Sequence, residues 1–409
     1  MMTTSISGGS VFRNRSFSFY FAGQSLSYVG DGLRTIAIPL LVYHLTNSAS
    51  ALGVTYALEF APFALFGLVG GSLADRLDRR ALMIGCDFAR FAIVSLFALA
   101  YWSHSLTISM LYAGIVVLSL CAAVFQGGQA SAIPFLIGKD RATQGVAALI
   151  ATEQASSLIA PPIGGAIFAM TGPLPALVIN AFTYLCSQAS VMLVPTLGPR
   201  TPSGLPSVRD VGADIVAGYR FFCKDTAMWQ LTIVGAVFNF FGLLGGAVFI
   251  PFLKRDLGGS DLAVGLTLGG AAIGSIAGSI AASKVPKSWP LGKVLQVSYA
   301  LDGLLFLPVM FAQSIVVAAV FLAVTNALVV FEVAQIVGWR MRIIPEDMVG
   351  RVFGVVRFVV LAGAAPGAIL GGLMADRYGA RLPLIVGGIG YIAVAAALFF
   401  LPSIRRESR

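Results

Sequence analysis

Apolar runs of twenty or more residues recur along nearly the whole chain, and no other feature narrows its possible folds so far. Each run is long enough to cross about 30 Å of hydrocarbon as a helix. Twelve spans are read, roughly at 17–44, 49–73, 81–102, 106–133, 145–170, 173–194, 227–252, 261–283, 291–312, 314–338, 352–374 and 382–402. Only 11% of residues are charged while 57% are hydrophobic. That is less than half the charged share of an ordinary soluble domain, about 25%. A water-soluble fold has no means of covering such a core. The expectation is an all-α polytopic membrane protein embedded in a lipid bilayer.

The basic residues orient it. Cytoplasmic loops collect lysine and arginine. Of the 27 lysines and arginines, only Lys254, Arg255, Arg377 and Arg381 fall in loops on one side, whereas Arg13, Arg15, Arg76, Arg79, Arg80, Lys139, Arg141 and most of the others fall on the side of the chain ends. Both termini are therefore expected in the cytoplasm. The same scatter explains the net charge of +9 by topology, with no nucleic-acid partner. The first run is too long for a signal peptide and lacks a small-residue cleavage site, so it is expected to be retained. Cys86, Cys121, Cys186 and Cys223 lie in or beside apolar runs without CxxC spacing, and the two histidines, His44 and His104, are far apart. Small buried hydrophobes are the expected role, and no metal or cofactor is implied.

The longest connection lies mid-chain, where "PTLGPRTPSGLPSVRD" has linker composition. Residues 208–224 then read as an amphipathic helix with a basic face, suited to the inner membrane surface. The chain is thus divided into a six-helix half at 1–194, a linker with its amphipathic helix at 195–226, and a second six-helix half at 227–409. A repeat supports the division. "GGAIFAMTGPLPALVIN" from Gly164 resembles "GGLMADRYGARLPLIVG" from Gly371, with a further glycine at the same spacing. Repeats of this kind mark secondary transporters, whose site lies near mid-membrane between the halves.

After the second span comes "GGSLADRLDRR", residues 70–80. It resembles the signature cytoplasmic loop of the major facilitator superfamily, Gly-x-x-x-Asp-Arg-x-Gly-Arg-Arg, through Gly71, Asp75, Arg76, Arg79 and Arg80, with Asp78 in place of the second glycine. That replacement, the Gly30-Asp31-Gly32 of the first span, and Asp87 with Arg90 in the third resemble the branch of enterobactin exporters and macrolide efflux proteins. The resemblance implies the major facilitator fold of two pseudo-symmetric halves in a bacterial cytoplasmic (inner) membrane, and a monomer. It also implies a cytoplasmic latch in which Asp75 faces the start of span eleven near Arg351 and Arg357, with Asp87 and Arg90 beside it. Plain anchoring of the loop is the alternative. "GGLMADRYGAR" from Gly371 copies the loop in letters but falls on the outer side, and no latch role is expected of it.

Span five carries "SSLIAPPIGG", which resembles the Gly-Pro-x-x-Gly-Gly motif of family antiporters with Ala160 where glycine is usual. Pro161 and Pro162 bend the span and Gly164 and Gly165 allow close approach, a bend pivot that favours export. Packing alone is the alternative reading.

The membrane interior holds Asp31, Arg34, Glu59, Glu153, Asp302, Glu332 and Arg357. Ions at depth cost about 2.5–3.5 kcal/mol each on insertion scales, so they usually face a bundle interior or a wet cavity. Asp31 lies about 21 Å into span one and Glu59 about 15 Å from the outer end of span two, so both are near mid-depth. Asp31 and Arg34 share a helical face. Asp31 and Glu59 are accordingly expected to include the proton-binding group, with Arg34 setting the charge state; a static pair that aids insertion is the alternative. Glu332 and Arg357 are candidates for a gate pair, and Asp302 has no evident role. The spans that line the family's cavity offer Gln24, Tyr28, Gln126, Gln129, Phe238, Asn239, Phe241, Asn326 and Glu332 as substrate contacts. Aromatics with amides suit a large amphipathic ligand.

These features predict a proton-driven exporter of a siderophore or amphipathic drug-like molecule, its partners being that substrate and protons. A uniporter or proton-coupled importer of a small metabolite is the runner-up. An enzyme is not expected, because no nucleophile motif, P-loop or metal spacing occurs.

Overall fold

The computed structural model describes residues 11–76, 78–194, 197, 208–286, 289–345, 348–401 and 404; of the side chains at 67–76, 130, 131, 139, 143, 158, 208–211, 213–215, 310 and 349–351 nothing is described. The described residues are almost wholly helical: α1 (Arg15–Thr46), α2 (Ala49–Arg76), α3 (Arg79–Trp102), α4 (Ile108–Ile137), α5 (Lys139–Thr171), α6 (Pro173–Leu193), α7 (Val208–Lys224), α8 (Thr226–Gly246), α9 (Phe249–Pro251), α10 (Asp261–Lys284), α11 (Leu291–Phe306), α12 (Ile315–Ile343), α13 (Val349–Ala362), α14 (Ala364–Tyr378) and α15 (Arg381–Phe399). Among the described residues, ten helical stretches are long and apolar enough to cross a membrane. The other two spans are α1, whose hydropathy Asp31 and Arg34 depress, and α11, only 16 residues long and extended by a 3-10 turn. Spans seven and eleven are α8 with α9 and α13 with α14. The amphipathic helix α7 has the bounds read from the sequence.

Local chemistry explains where the helices begin and end. Side chains of Asn14, Asp78, Thr107, Asp225, Ser260 and Ser314 accept from free backbone N–H groups at six helix starts. Asp78 is the residue that departs from the loop signature; its carboxylate accepts from Arg80 and Ala81 at 2.9 and 3.2 Å, so the departure starts α3. Gly172, at φ +78°, and Pro173 turn α5 into α6.

Within the first half α1 packs on α5 and α6, α2 on α4, and α3 on α4 and α6; within the second α10 packs on α12, α11 on α15, and α8 on α14 and α15. The halves meet where α2 packs on α14 and α13 and where α5 packs on α10. The two repeated glycine pairs sit in equivalent places. The first glycine of each pair packs inside its own half: a Cβ on Gly164 would lie 3.3 Å from the Leu33 carbonyl of α1, and one on Gly371 2.1 Å from the Leu244 carbonyl of α8. The second packs across: a Cβ on Gly165 would lie 2.5 Å from the Gly265 Cα of α10, and one on Gly372 2.5 Å from the Ala49 carbonyl of α2. Small residues let backbones approach where the halves touch.

These crossings lie near the face opposite the chain ends, here called the far face. Polar ties reinforce them. Asp376 of α14 accepts from the Ala49 and Ser50 amides, at 2.8 and 2.9 Å, and from Ser48 Oγ at 2.6 Å, capping α2 from the other half. Arg255 pairs with Asp376 at 3.6 Å and donates to the Asn47 carbonyl. Lys254 and His44 both reach Asp261, at 2.6 and 3.1 Å. The segment around Asp376 was expected to hold no latch role; it ties the far face, because α14 continues to Tyr378 and carries the carboxylate to the α2 N-terminus.

Candidate functional site

A continuous polar network runs through the first half. Arg34 lies between Asp31 and Glu59, at 3.7 and 3.6 Å, with side-chain exposures of 15%, 31% and 30%. The spacing i, i+3 on α1 makes the first contact, and the α1–α2 packing supplies the second. Tyr184 of α6 donates to Asp31 at 2.5 Å. The Tyr184 ring also receives Arg90, whose guanidinium lies 4.7 Å from it and 4.3 Å from the Phe125 ring. Arg90 pairs with Asp87, which accepts from Ser187 at 2.8 Å. Gln24 then donates to Ser187 at 2.9 Å, Gln129 to Gln24 at 3.1 Å, and Tyr28 to Gln129 at 3.0 Å. Counted as charges, Asp31, Glu59 and Arg34 sum to minus one, whereas Asp87 and Arg90 cancel. The excess negative charge thus belongs to the half-exposed end of the network.

Between the halves, towards the chain-end face, lies a cavity of about 860 Å³. α4, α5, α8, α11, α12 and α13 contribute to its wall, including Gln126, Phe238, Asn239, Tyr299, Glu332, Arg340 and Arg357. Phe238 stacks between Tyr299 and Tyr391, with ring centroids 4.7 and 4.3 Å away. Arg357 reaches across the interface, donating to Gln126 at 2.6 Å and lying 4.0 Å from the Phe63 ring. Arg340 donates to Thr232 at 2.8 Å.

The sequence expectations divide. Asp31, Arg34 and Glu59 come together. Of the expected cavity residues, Gln126, Phe238, Asn239 and Glu332 reach the wall. Gln24, Tyr28 and Gln129 are spent on the internal network, Gln24 being 1% exposed. Phe241 packs on Gly390 of α15, and Asn326, six residues before Glu332 and so on another face of α12, bonds its own helix at the Leu322 carbonyl. Asp87 and Arg90 do not join a latch between the halves: both are buried in the first half, because three residues of α-helix bring them side by side and α6 covers them. Arg80 donates to the Met192 carbonyl of α6 and Arg79 lies 5.1 Å from the Phe135 ring of α4, so both hold α3 within its own half. Arg357 crosses to Gln126 and not to Glu332, so the expected gate pair is not formed. The side chains of Gly71, Asp75, Arg76 and Arg351 fall outside the described residues. α5 stays helical through Pro161 and Pro162, and Pro162 abuts Gly269 of α10. Tyr184 was missed, because one tyrosine in an apolar run carries no periodic or motif signal.

The model of the Major Facilitator Superfamily matches residues 20–368. The macrolide efflux protein A of Streptococcus pyogenes is 23% identical over 408 residues, covering 97% of this chain and 98% of that one. The enterobactin exporter of Escherichia coli is 25% identical over 377 residues, covering 88% and 85%. Among solved structures, a bacterial homologue of the human lysosomal transporter Spinster, inward-facing and unoccupied, superposes with a TM-score of 0.76 at 16% identity over 97% of this chain and 98% of that one. A bacterial homologue of the iron transporter ferroportin, in an inward-facing state, gives 0.70 at 14% identity over 93% and 99%.

Proposed function

The chain belongs to the major facilitator superfamily of multi-pass membrane transporters for small molecules, and from that premise we propose that it is a proton-driven exporter of a siderophore or an amphipathic drug-like compound. The observation that carries the proposal is the single guanidinium of Arg34 serving two carboxylates, Asp31 and Glu59, near mid-depth. One unit of negative charge there has no counter-ion, and a proton supplies it. Both carboxylates are about a third exposed, so a proton can reach them. Protonation of Asp31 weakens its hold on Arg34 and alters the Tyr184 hydrogen bond, which ties the event to the α1–α6 contact and, through Arg90, to α3.

The halves rock about the close contacts of α5 with α10 and α2 with α14, with Pro161, Pro162, Gly164 and Gly165 at one pivot and Gly372 at the other. Breaking the Asp376 and Asp261 ties opens the far face, and the loop of Gly71, Asp75 and Arg76 latches the chain-end face in return. The efflux roles in the names of the macrolide and enterobactin relatives support the outward direction and the cargo class. On this reading the chain works as a monomer in a bacterial cytoplasmic membrane with both ends inside, and each inward proton then supplies about 2.3 kcal/mol per 100 mV.

The test uses everted membrane vesicles energised to an acidic interior and offered a panel of siderophores and macrolides. A compound that is carried releases internal protons and accumulates inside. Entry at the same rate with the proton gradient collapsed, stopping at equal concentrations on the two sides in either case, would replace this reading with facilitated, uncoupled transport.

A further inference from the structure

The second half contains an acidic site that the proton route does not use. Glu332 of α12 and Asp302 of α11 are 1% and 0% exposed, and none of their four carboxylate oxygens has a hydrogen-bond partner among the described residues. Glu332 forms part of the cavity wall. Asp302 is buried on α11, which packs on α12. The Ser298 hydroxyl donates to the Leu295 carbonyl at 3.1 Å. The arginines of the cavity are engaged elsewhere, Arg340 with Thr232 and Arg357 with Gln126 and Phe63. The same cavity wall carries Tyr299 and Phe238, which stack with Tyr391.

An ionised carboxylate buried without a counter-ion or hydrogen bonds is costly, and it is neutralised either by a proton or by a cation that takes the proton's place. Aromatic faces add to the attraction for a cation that carries an apolar body. We propose that Glu332, backed by Asp302, is the cargo-binding group for an organic cation, a protonated or quaternary centre on an apolar scaffold. The charge meets Glu332 at the cavity wall, and the apolar body lies against Phe238 and Tyr299. This names the cargo class of the exporter and rests on that reading for the direction of movement, but not for binding itself.

Equilibrium binding to the full-length protein in detergent tests it with two probes of similar shape, tetraphenylphosphonium and the neutral triphenylphosphine oxide. The wild type is expected to prefer the phosphonium at least tenfold. Glu332→Gln is expected to abolish the preference, and Glu332→Asp to restore part of it. Equal binding of the two probes by the wild type overturns the proposal, and this measurement requires no variant to fold. Retention of the preference in folded Glu332→Gln overturns it too. If the preference is missing while proton-coupled export persists, the cation site falls and the exporter reading stands; the reverse pattern separates them the other way.

Discussion

Near mid-depth three acids of the first half hold arginines: Asp31 and Glu59 share Arg34, and Asp87 holds Arg90. The second half, built on the same repeat, leaves Asp302 and Glu332 without a cation or a hydrogen bond among the described residues. The two arrangements do different work. The first keeps its carboxylates beside a fixed cation, while the second leaves room for a charge brought from outside. The pseudo-symmetry of the backbone therefore does not extend to the charges, and the division of roles between proton and cargo follows from that asymmetry.

The strongest way to break the comparison is through stability. Arg90→Met leaves Asp87, 0% exposed, as an uncompensated charge, and a loss of about 3–5 kcal/mol is expected in detergent unfolding. Asp302→Asn removes no partner and is expected to leave stability unchanged or raised. Equal losses in the two variants would show that the halves handle charge alike.

The backbone symmetry can be probed separately. Gly165→Ala and Gly372→Ala each drive a methyl group to 2.5 Å from backbone of the opposite half, and each is expected to cost about 1–3 kcal/mol. Losses that differ strongly would mean that only one of the two crossings is a true contact of the halves. The smallest effect is expected for Asp376→Asn, which weakens a cap worth about 0.5–2 kcal/mol. Spin labels across the far face should then report a larger population of separated halves.

The fold was largely legible because span length, basic-residue placement and the glycine repeat each act at the scale of whole helices. Asp31, Arg34 and Glu59 were found because depth along a helix can be counted. The failures share a cause: spacing along one helix does not reveal which helix covers it. Asp87 with Arg90 matched a loop-associated motif, yet α6 buries the pair with Ser187. Gln24 and Gln129 lay on the expected spans but turn to each other. Tyr184 and Asp376 act through partners far along the chain, Asp31 and the α2 N-terminus among them, and no local pattern announces such contacts.

The central claim is that the acids around Arg34 carry the coupling proton. Its most direct test follows internal pH in proteoliposomes containing wild type, Asp31→Asn or Glu59→Gln while a transported compound is added. Cargo-stimulated proton flux is expected in the wild type and its loss in Asp31→Asn, with folded protein in the membrane and cargo still bound. Undiminished flux in both variants would contradict the account.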